Sequence, residues 1–236
     1  MIKLNKKMII YMPKLSVGGM EQSLINMLNL STLKNKYDIT LCLGYSTEKE
    51  YLNSIPKEIN LNILWKGKWN IFGKLATAIK LIAKYLLFSM KKPKYDVSIS
   101  YAYQHGILAK LARLSSDNNI IFIHSDLCKC REEKELKKLQ KKVKFELFKK
   151  VVCVSSKAEE SFYRLYPNYQ GKTIVINNYI DTKKIIEKSK ENCEIEKVAF
   201  PTFIHVGRHV EKAKQIMRIL EASKKLLEEE YEFRVL

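Results

Sequence analysis

MIIYMPKLSVGGMEQSLINML, residues 8–28, decides how the rest of the chain is read. Met8 to Met12 form an apolar run of strand length that stops at Pro13, a residue that cannot donate to a sheet ladder. Two glycines follow, Gly18 and Gly19. After them Met20, Leu24, Met27 and Leu28 recur at the spacing of one helical face. A strand that feeds a helix through a glycine-bearing loop is the opening of a βαβ unit. Glycine lets the backbone adopt angles other residues avoid and lets a ligand come close. The first amides of the helix favour an anion. Two readings stay open: a phosphate-holding loop, or a tight turn with no ligand. The spacing is neither GxGxxG nor a Walker loop. Glu21, in the first turn, reads as a stabiliser of the helix N-terminus ahead of any catalytic role.

The alternation continues downstream. DITLCLG (38–44), LNILW (61–65), YDVSISY (95–101), NIIFIH (119–124), KVVCVS (150–155) and KTIVINN (172–178) read as strands. Between them, helices are expected over Ile71–Met90, Gly106–Leu114, Arg131–Lys150 and Lys157–Leu165, the last capped by Ser155 or Ser156. On Arg131–Lys150 the apolar stripe is Leu136, Leu139, Val143 and Leu147. Residues 180–200 turn polar and charged and read as a linker. FIHVG (203–207), a helix from about Lys212 to Glu229, and YEFRVL (231–236) then open a second α/β unit. Its strands are too few to bury both faces of a sheet, so this second domain is expected to be truncated. Alternation at this density predicts an α/β fold with a parallel sheet, and ligands at the carboxyl ends of its strands.

The chain has 236 residues, 46% hydrophobic and 29% charged, which is a globular balance. Its formal net charge is +18. That excess suits an anionic partner: nucleic acid, an acidic membrane surface or a phosphorylated ligand. It is equally met by a lysine-rich surface with no partner at all. No zinc-finger spacing, aromatic RNA-binding motif or helix-turn-helix signal stands beside the charge, so a nucleic-acid partner is not expected. The five cysteines, Cys42, Cys128, Cys130, Cys153 and Cys193, form no CxxC pair and fit a reducing, cytoplasmic setting. No apolar run has the length of a membrane span, and MIIYM is too short for a signal peptide. Trp69–Lys94 combines Trp69, Phe72, Tyr85 and Phe88 with lysines. Lys129–Lys150 carries ten Lys or Arg against four Glu. Such aromatic and basic helices suit the face of an anionic membrane.

Five stretches in order resemble the retaining GT-B glycosyltransferases of the family 4 type. They are the Gly18-Gly19-x-Glu21 opening, IFIHSD (121–126), VVCVSSKAEESF (151–162), TIVINNYID (173–181) and FIHVGR (203–208) with a lysine before the next helix. Together they cover nearly the whole chain. The resemblance implies an N-terminal, acceptor-side Rossmann-like domain over 1–179, a linker over 180–200, and the start of a nucleotide-sugar-binding domain over 201–236. It makes His124 the active-site histidine. It places Gly18, Gly19, Arg208 and a lysine on the donor diphosphate, because a leaving diphosphate needs amides and cations aimed at it. The position the family gives that lysine is Ala213 here. The helix residues Leu220, Glu221 and Ala222 favour Lys214, with Lys212 in reserve. His105 and Asp126 are acceptor-site candidates, His209 is a weaker neighbour of the phosphates, and His205 is expected to pack. Asn178 and Asp181 are expected to organise a turn.

The activity so implied is transfer of a sugar from a nucleotide sugar to a polysaccharide or lipid-linked glycan, with retention. Capsule or lipopolysaccharide assembly at the inner face of the cell membrane is the setting. No cofactor and no metal are expected. The family's second-domain glutamate pair finds no match before Leu236. This leaves an alternative: a non-catalytic acceptor-domain fragment, or a subunit of a split transferase with a partner chain supplying the rest.

Overall fold

The fold was obtained as a computed structural model, which describes residues 6–47, 49–64, 75, 79–80, 82–83, 95–130, 132–169, 171–192, 195–207 and 211–236. The helix expected over Ile71–Met90, and most of the aromatic-basic stretch Trp69–Lys94, lie outside the described residues. The chain divides into two compact units, Met1–Asp181 and Thr182–Leu236.

The first unit is built on seven parallel strands: β1 Lys6–Met12, β2 Tyr37–Leu43, β3 Asn60–Ile63, β4 Val97–Ser100, β5 Asn119–Ile123, β6 Lys150–Cys153 and β7 Thr173–Val175. Their spatial order is β3-β2-β1-β4-β5-β6-β7. The fold is the α/β, Rossmann-like architecture that the alternation predicts. Strand order reverses between β1 and β4, where Met8 pairs with Val97 and Tyr11 with Ser100. Both faces of β1 are covered, so its apolar run is continuous. Met8, Ile10 and Met12 enter one core with Leu24 and Leu28 of helix α1 (Gly19–Leu28). Ile9 and Tyr11 enter the other with Leu108, Leu111 and Ala112 of α4 (Gly106–Ser115). Two short helices, α2 (Ser31–Lys34) and α3 (Lys49–Asn53), flank β2.

The long helix expected over Arg131–Lys150 is shorter and divided. A turn of helix, α5 (Leu127–Cys130), precedes α6 (Glu133–Val143). Lys144 then adopts φ 53°, ψ 65° and ends α6 in the left-handed conformation. A 3-10 turn, Phe145–Leu147, leads toward β6. The reason is packing. Leu136, Leu139 and Val143 are buried as expected, but the core next takes Phe145 and Phe148 and leaves Leu147 55% exposed. Helix α7 (Ser156–Leu165) starts where expected: Ser155 Oγ accepts from Ala158 N at 3.1 Å. Phe162 of α7 joins Phe145, Tyr166 and Tyr169 in an aromatic cluster with ring centroids 4.9–5.8 Å apart.

In the second unit the expected linker contains a helix, α8 (Thr182–Lys188). β8 (Thr202–Phe203) pairs in parallel with β9 (Arg234–Val235). The single helix expected from Lys212 is broken into α9 (Glu211–Lys214) and α10 (Ile216–Glu228) by Gln215, at φ 51°. The Glu211 carboxylate accepts from Met217 N at 3.0 Å and so stabilises the start of α10.

Candidate functional site

In an open parallel sheet the crevice lies outside the carboxyl ends of the strands where the order reverses. Here those ends are β1 and β4, flanked by β2 and β5. Tyr101, just past β4, is buried and serves two partners. Its carbonyl accepts a hydrogen bond from His124 Nε2 at 2.9 Å. Its hydroxyl lies 2.9 Å from Ser23 Oγ on α1. Ser23 spends its one proton on Asn178 Oδ1, at 2.8 Å, so Tyr101 is the donor to Ser23. Asn26, one turn further along α1, donates to Tyr179 O at 3.2 Å. Asn178 thus ties the stretch after β7 to the first helix.

His124 follows β5 and is half-buried. Its ring sits 4.6 Å from the Tyr101 ring and 5.8 Å, nearly parallel at 19°, from the Phe122 ring. Burial lowers its pKa from 6.5 to about 4, against a smaller opposing effect of the bond to Tyr101. His124 is therefore neutral at pH 7, with its proton on Nε2. Nδ1 is left as a buried acceptor with no partner among the described residues. A neutral ring held this way is a poor base and a well-placed hydrogen-bond acceptor.

The glycine loop differs from expectation in its cause. Gly18 has φ 175° and ψ 155°, extended backbone open to any residue. A Cβ there would push aside only the Glu21 carboxylate, the movable end of a flexible side chain. Glu21 folds back over the start of α1 and accepts from Ser16 Oγ at 3.1 Å. It occupies the third helical position, where a carboxylate satisfies the helix start. Its role is the stabilising one expected, and it fills the space over Gly18. At Gly19 nothing lies within 4 Å of an added Cβ. The open approach to the first turn is at Gly19.

Asp126, read as an acceptor-site candidate, is committed locally. Its carboxylate bonds Ser161, which most lowers its pKa, and accepts from Lys129 N at 3.2 Å. Cys128 N donates to Ser161 Oγ at 3.0 Å, so the cluster pins α5 to α7. Tyr103 and Ser125 were missed in the sequence. Their hydroxyls meet at 2.7 Å and bridge the loops after β4 and β5. Their signal was position, each within a few residues of a strand's carboxyl end.

His105 stands at the start of α4 and caps no amide. Desolvation first, then the Lys142 ammonium, holds its pKa below the usual value. It lines a cavity of 440 Å³ with Tyr45, Gln104, Lys110 and Lys142.

Of the residues expected on the donor diphosphate, Gly18 and Gly19 belong to the first unit and Lys214 to the second. Arg208 and His209 lie outside the described residues. In the second unit His205 and Lys214 converge on Gly207, whose added Cβ would stand 3.1 Å from His205 Nε2 and 3.5 Å from the Lys214 chain. His205 Nε2 is buried without a partner among the described residues. Among the described residues no cluster of His, Cys, Asp and Glu is placed to hold a metal ion. None of their helices is long and apolar enough to cross a membrane.

No family model and no curated protein matches the chain. Solved structures do, at the level of fold. HepE of Anabaena, solved with UDP and glucose, is similar over 93% of this chain and 58% of its own, with a TM-score of 0.60 at 12% identity. WaaG, a glycosyltransferase of lipopolysaccharide biosynthesis, covers 91% of this chain and 57% of its own, with a TM-score of 0.55 at 12% identity. The lipopolysaccharide outer core galactosyltransferase WaaB has a TM-score of 0.51 at 18% identity, over 91% of this chain and 57% of its own. The fold is thus that of GT-B glycosyltransferases. The chain spans 57–58% of the length of these three.

Proposed function

We propose that the chain is a glycosyltransferase of the retaining, family 4 type. It moves a sugar from a nucleotide sugar to a polysaccharide or lipid-linked glycan. The observation that carries this reading is the neutral His124 at the strand ends beside the switch point. Its Nδ1 is a buried acceptor awaiting a donor, and a sugar hydroxyl is such a donor. The likeness in fold to HepE, whose structure holds UDP and glucose, supports the same reading. In it, Gly19 offers the first-turn amides of α1 to the donor diphosphate, while Arg208 and Lys214 supply cations to the leaving group. His124 orients a hydroxyl and does not remove a proton, since its pKa of about 4 makes it a weak base. No metal or cofactor enters this scheme. The site is proposed to work in the cytoplasm, at the inner face of the membrane, where lipid-linked acceptors are reached.

A second reading is a binding module whose donor half comes from another polypeptide. One observation favours it: no described residue of Thr182–Leu236 is buried.

The test is calorimetric titration with UDP and GDP, on the unmodified chain and on the Arg208→Ala, Lys214→Ala double variant. Binding of a nucleoside diphosphate, weakened tenfold or more in the double variant, is expected. No binding of either nucleotide, or binding untouched by the substitutions, overturns the donor-site assignment. Release of glucose from UDP-glucose separates the two readings, since a binding module releases none.

A further inference from the structure

Tyr101 is where two separate sets of contacts meet. Its N–H continues the sheet, donating to Tyr11 O at 3.0 Å. Its carbonyl lies one step beyond Ser100, the last residue of β4, and receives the His124 ring. The residue is 1% exposed, and its ring stands 4.9 Å from Phe122 and 4.6 Å from His124. Its hydroxyl reaches Ser23 on α1 and, through Ser23, the side chain of Asn178 after β7.

A neutral imidazole has one N–H and one acceptor, and the partner of one nitrogen decides the role of the other. A carbonyl can only accept, so Tyr101 O holds the proton on Nε2 and leaves Nδ1 as the acceptor. That carbonyl sits past the end of β4, where the side chain of its own residue does most to keep it in place. The ring does so by packing on Phe122 and His124, the hydroxyl by its bond to α1. Burial pushes the phenol up to about 12, so it keeps its proton and donates to Ser23. Ser23 is 6% exposed and passes its own proton to Asn178 Oδ1. A serine inside a helix otherwise turns to a carbonyl of the preceding turn. Asn178 is the acceptor that draws it out of that bond. The next carbonyl, Tyr179 O, accepts from Asn26 on the same helix, so the stretch after β7 is fastened to α1 twice.

We infer that Tyr101 is a positioning residue for His124, held in turn by Ser23 and Asn178, so that the stretch ending the first unit at Asp181 sets how the His124 ring presents its acceptor. Three residues that need touch no substrate then belong to the site. Freeing Asn178 loosens the ring without altering any group beside it. The inference rests on the proposed function to the extent that the His124 acceptor is read as the group that orients a sugar hydroxyl.

The test reads the imidazole nitrogens of the full chain by nitrogen-15 NMR at pH 7, with His124→Gln assigning the His124 signals among the four histidines. The unmodified chain is expected to show the Nε2–H tautomer with a slowly exchanging Nε2 proton. Tyr101→Phe and Ser23→Ala are each expected to speed that exchange about fivefold or more and to populate the other tautomer. Asn178→Ala is expected to speed it about twofold, and Asn178→Asp, which keeps an oxygen for Ser23, to hold the unmodified rate. Ser155→Ala removes the cap of α7, loosens the first unit to a similar degree away from these bonds, and is expected to leave the signals unchanged. Unchanged tautomer and exchange in Tyr101→Phe and Ser23→Ala, or the same acceleration in Ser155→Ala, overturns the positioning role. No effect of Asn178→Ala overturns the part given to the end of the first unit. UDP is titrated into the same samples. Absence of UDP binding removes the donor reading and leaves the imidazole result standing, while UDP binding beside unmoved signals removes the positioning role alone.

Discussion

The two units of the chain use the same elements and reach opposite degrees of burial. In Met1–Asp181 strands alternate with helices on both faces, and Tyr11, Phe145, Phe148 and Phe162 are at most 1% exposed. In Thr182–Leu236 a helix, then a strand, two more helices and a parallel strand are also present, yet no described residue is buried and Val206 is 88% exposed. Local pattern is comparable in the two. What differs is the number of neighbours. A parallel strand needs cover on both faces, and among the described residues β8 and β9 pair only with each other. Periodicity therefore specifies an element, while burial is a property of the set of elements around it.

The largest expected effect breaks this comparison if it fails. Phe162→Ala empties the centre of the aromatic cluster of the first unit and is expected to cost about 3–5 kcal/mol. Leu220→Ala, at a side chain 56% exposed on α10, is expected to stay within about 0.5 kcal/mol. Urea unfolding of both variants measures the two values. Equal losses would mean that the second unit has a core of its own.

Acid is expected to act on the first unit through His124. In the folded chain its pKa is about 4, and unfolded it returns to about 6.5. Between these values the unfolded state binds more protons, so stability falls as pH drops through that window and is fully present above it. The shift corresponds to at most about 3 kcal/mol. Unfolding free energies at pH 7 and pH 4, for the unmodified chain and for His124→Gln, isolate the contribution. A pH dependence unchanged in His124→Gln would show that the ring is not buried as described.

The sequence revealed the strands of the first unit because each is a short apolar run closed by proline, glycine or a polar loop, as Met8–Met12 is by Pro13. It drew attention to His124 because the residue ends the apolar run NIIFI and enters the polar loop Ser125-Asp126. It did not reveal where helix α6 ends. Leu147 continues the stripe of Leu136, Leu139 and Val143 in perfect phase, and only the competition of Phe145 and Phe148 for the core, with the left-handed Lys144, shows that the phase is abandoned. The bonds around Tyr101 were also hidden. Ser23 and Asn178 are 155 positions apart, and no local pattern signals a contact made by the closing of a sheet. The Asp126 bond to Ser161 was hidden for a related reason: Ser161 arrives from a helix that follows the next strand.

Smaller substitutions sharpen the contrast between packing and ligand approach within the first unit. Gly106→Ala drives a Cβ against the Lys142 carbonyl and is expected to cost about 1–3 kcal/mol. Gly19→Ala meets open space at a helical position where alanine is the better residue, so stability is expected to hold or rise slightly. If a donor diphosphate sits on the first turn of α1, the same methyl group stands in its way, and UDP binding is expected to weaken about tenfold with the fold intact. Melting temperature and UDP affinity, measured together on Gly19→Ala, read the two effects separately. Ser23→Ala lies between these cases. It removes the hydroxyl that accepts from Tyr101 and donates to Asn178, leaving two polar groups to find new partners, and is expected to cost about 1 kcal/mol. That loss should appear alike in Ser23→Ala and in Ser23→Ala with Asn178→Ala, because the second substitution removes a partner already stranded by the first. Additive losses in this cycle would mean that Asn178 is held by something other than Ser23, and that the end of the first unit is anchored independently of α1.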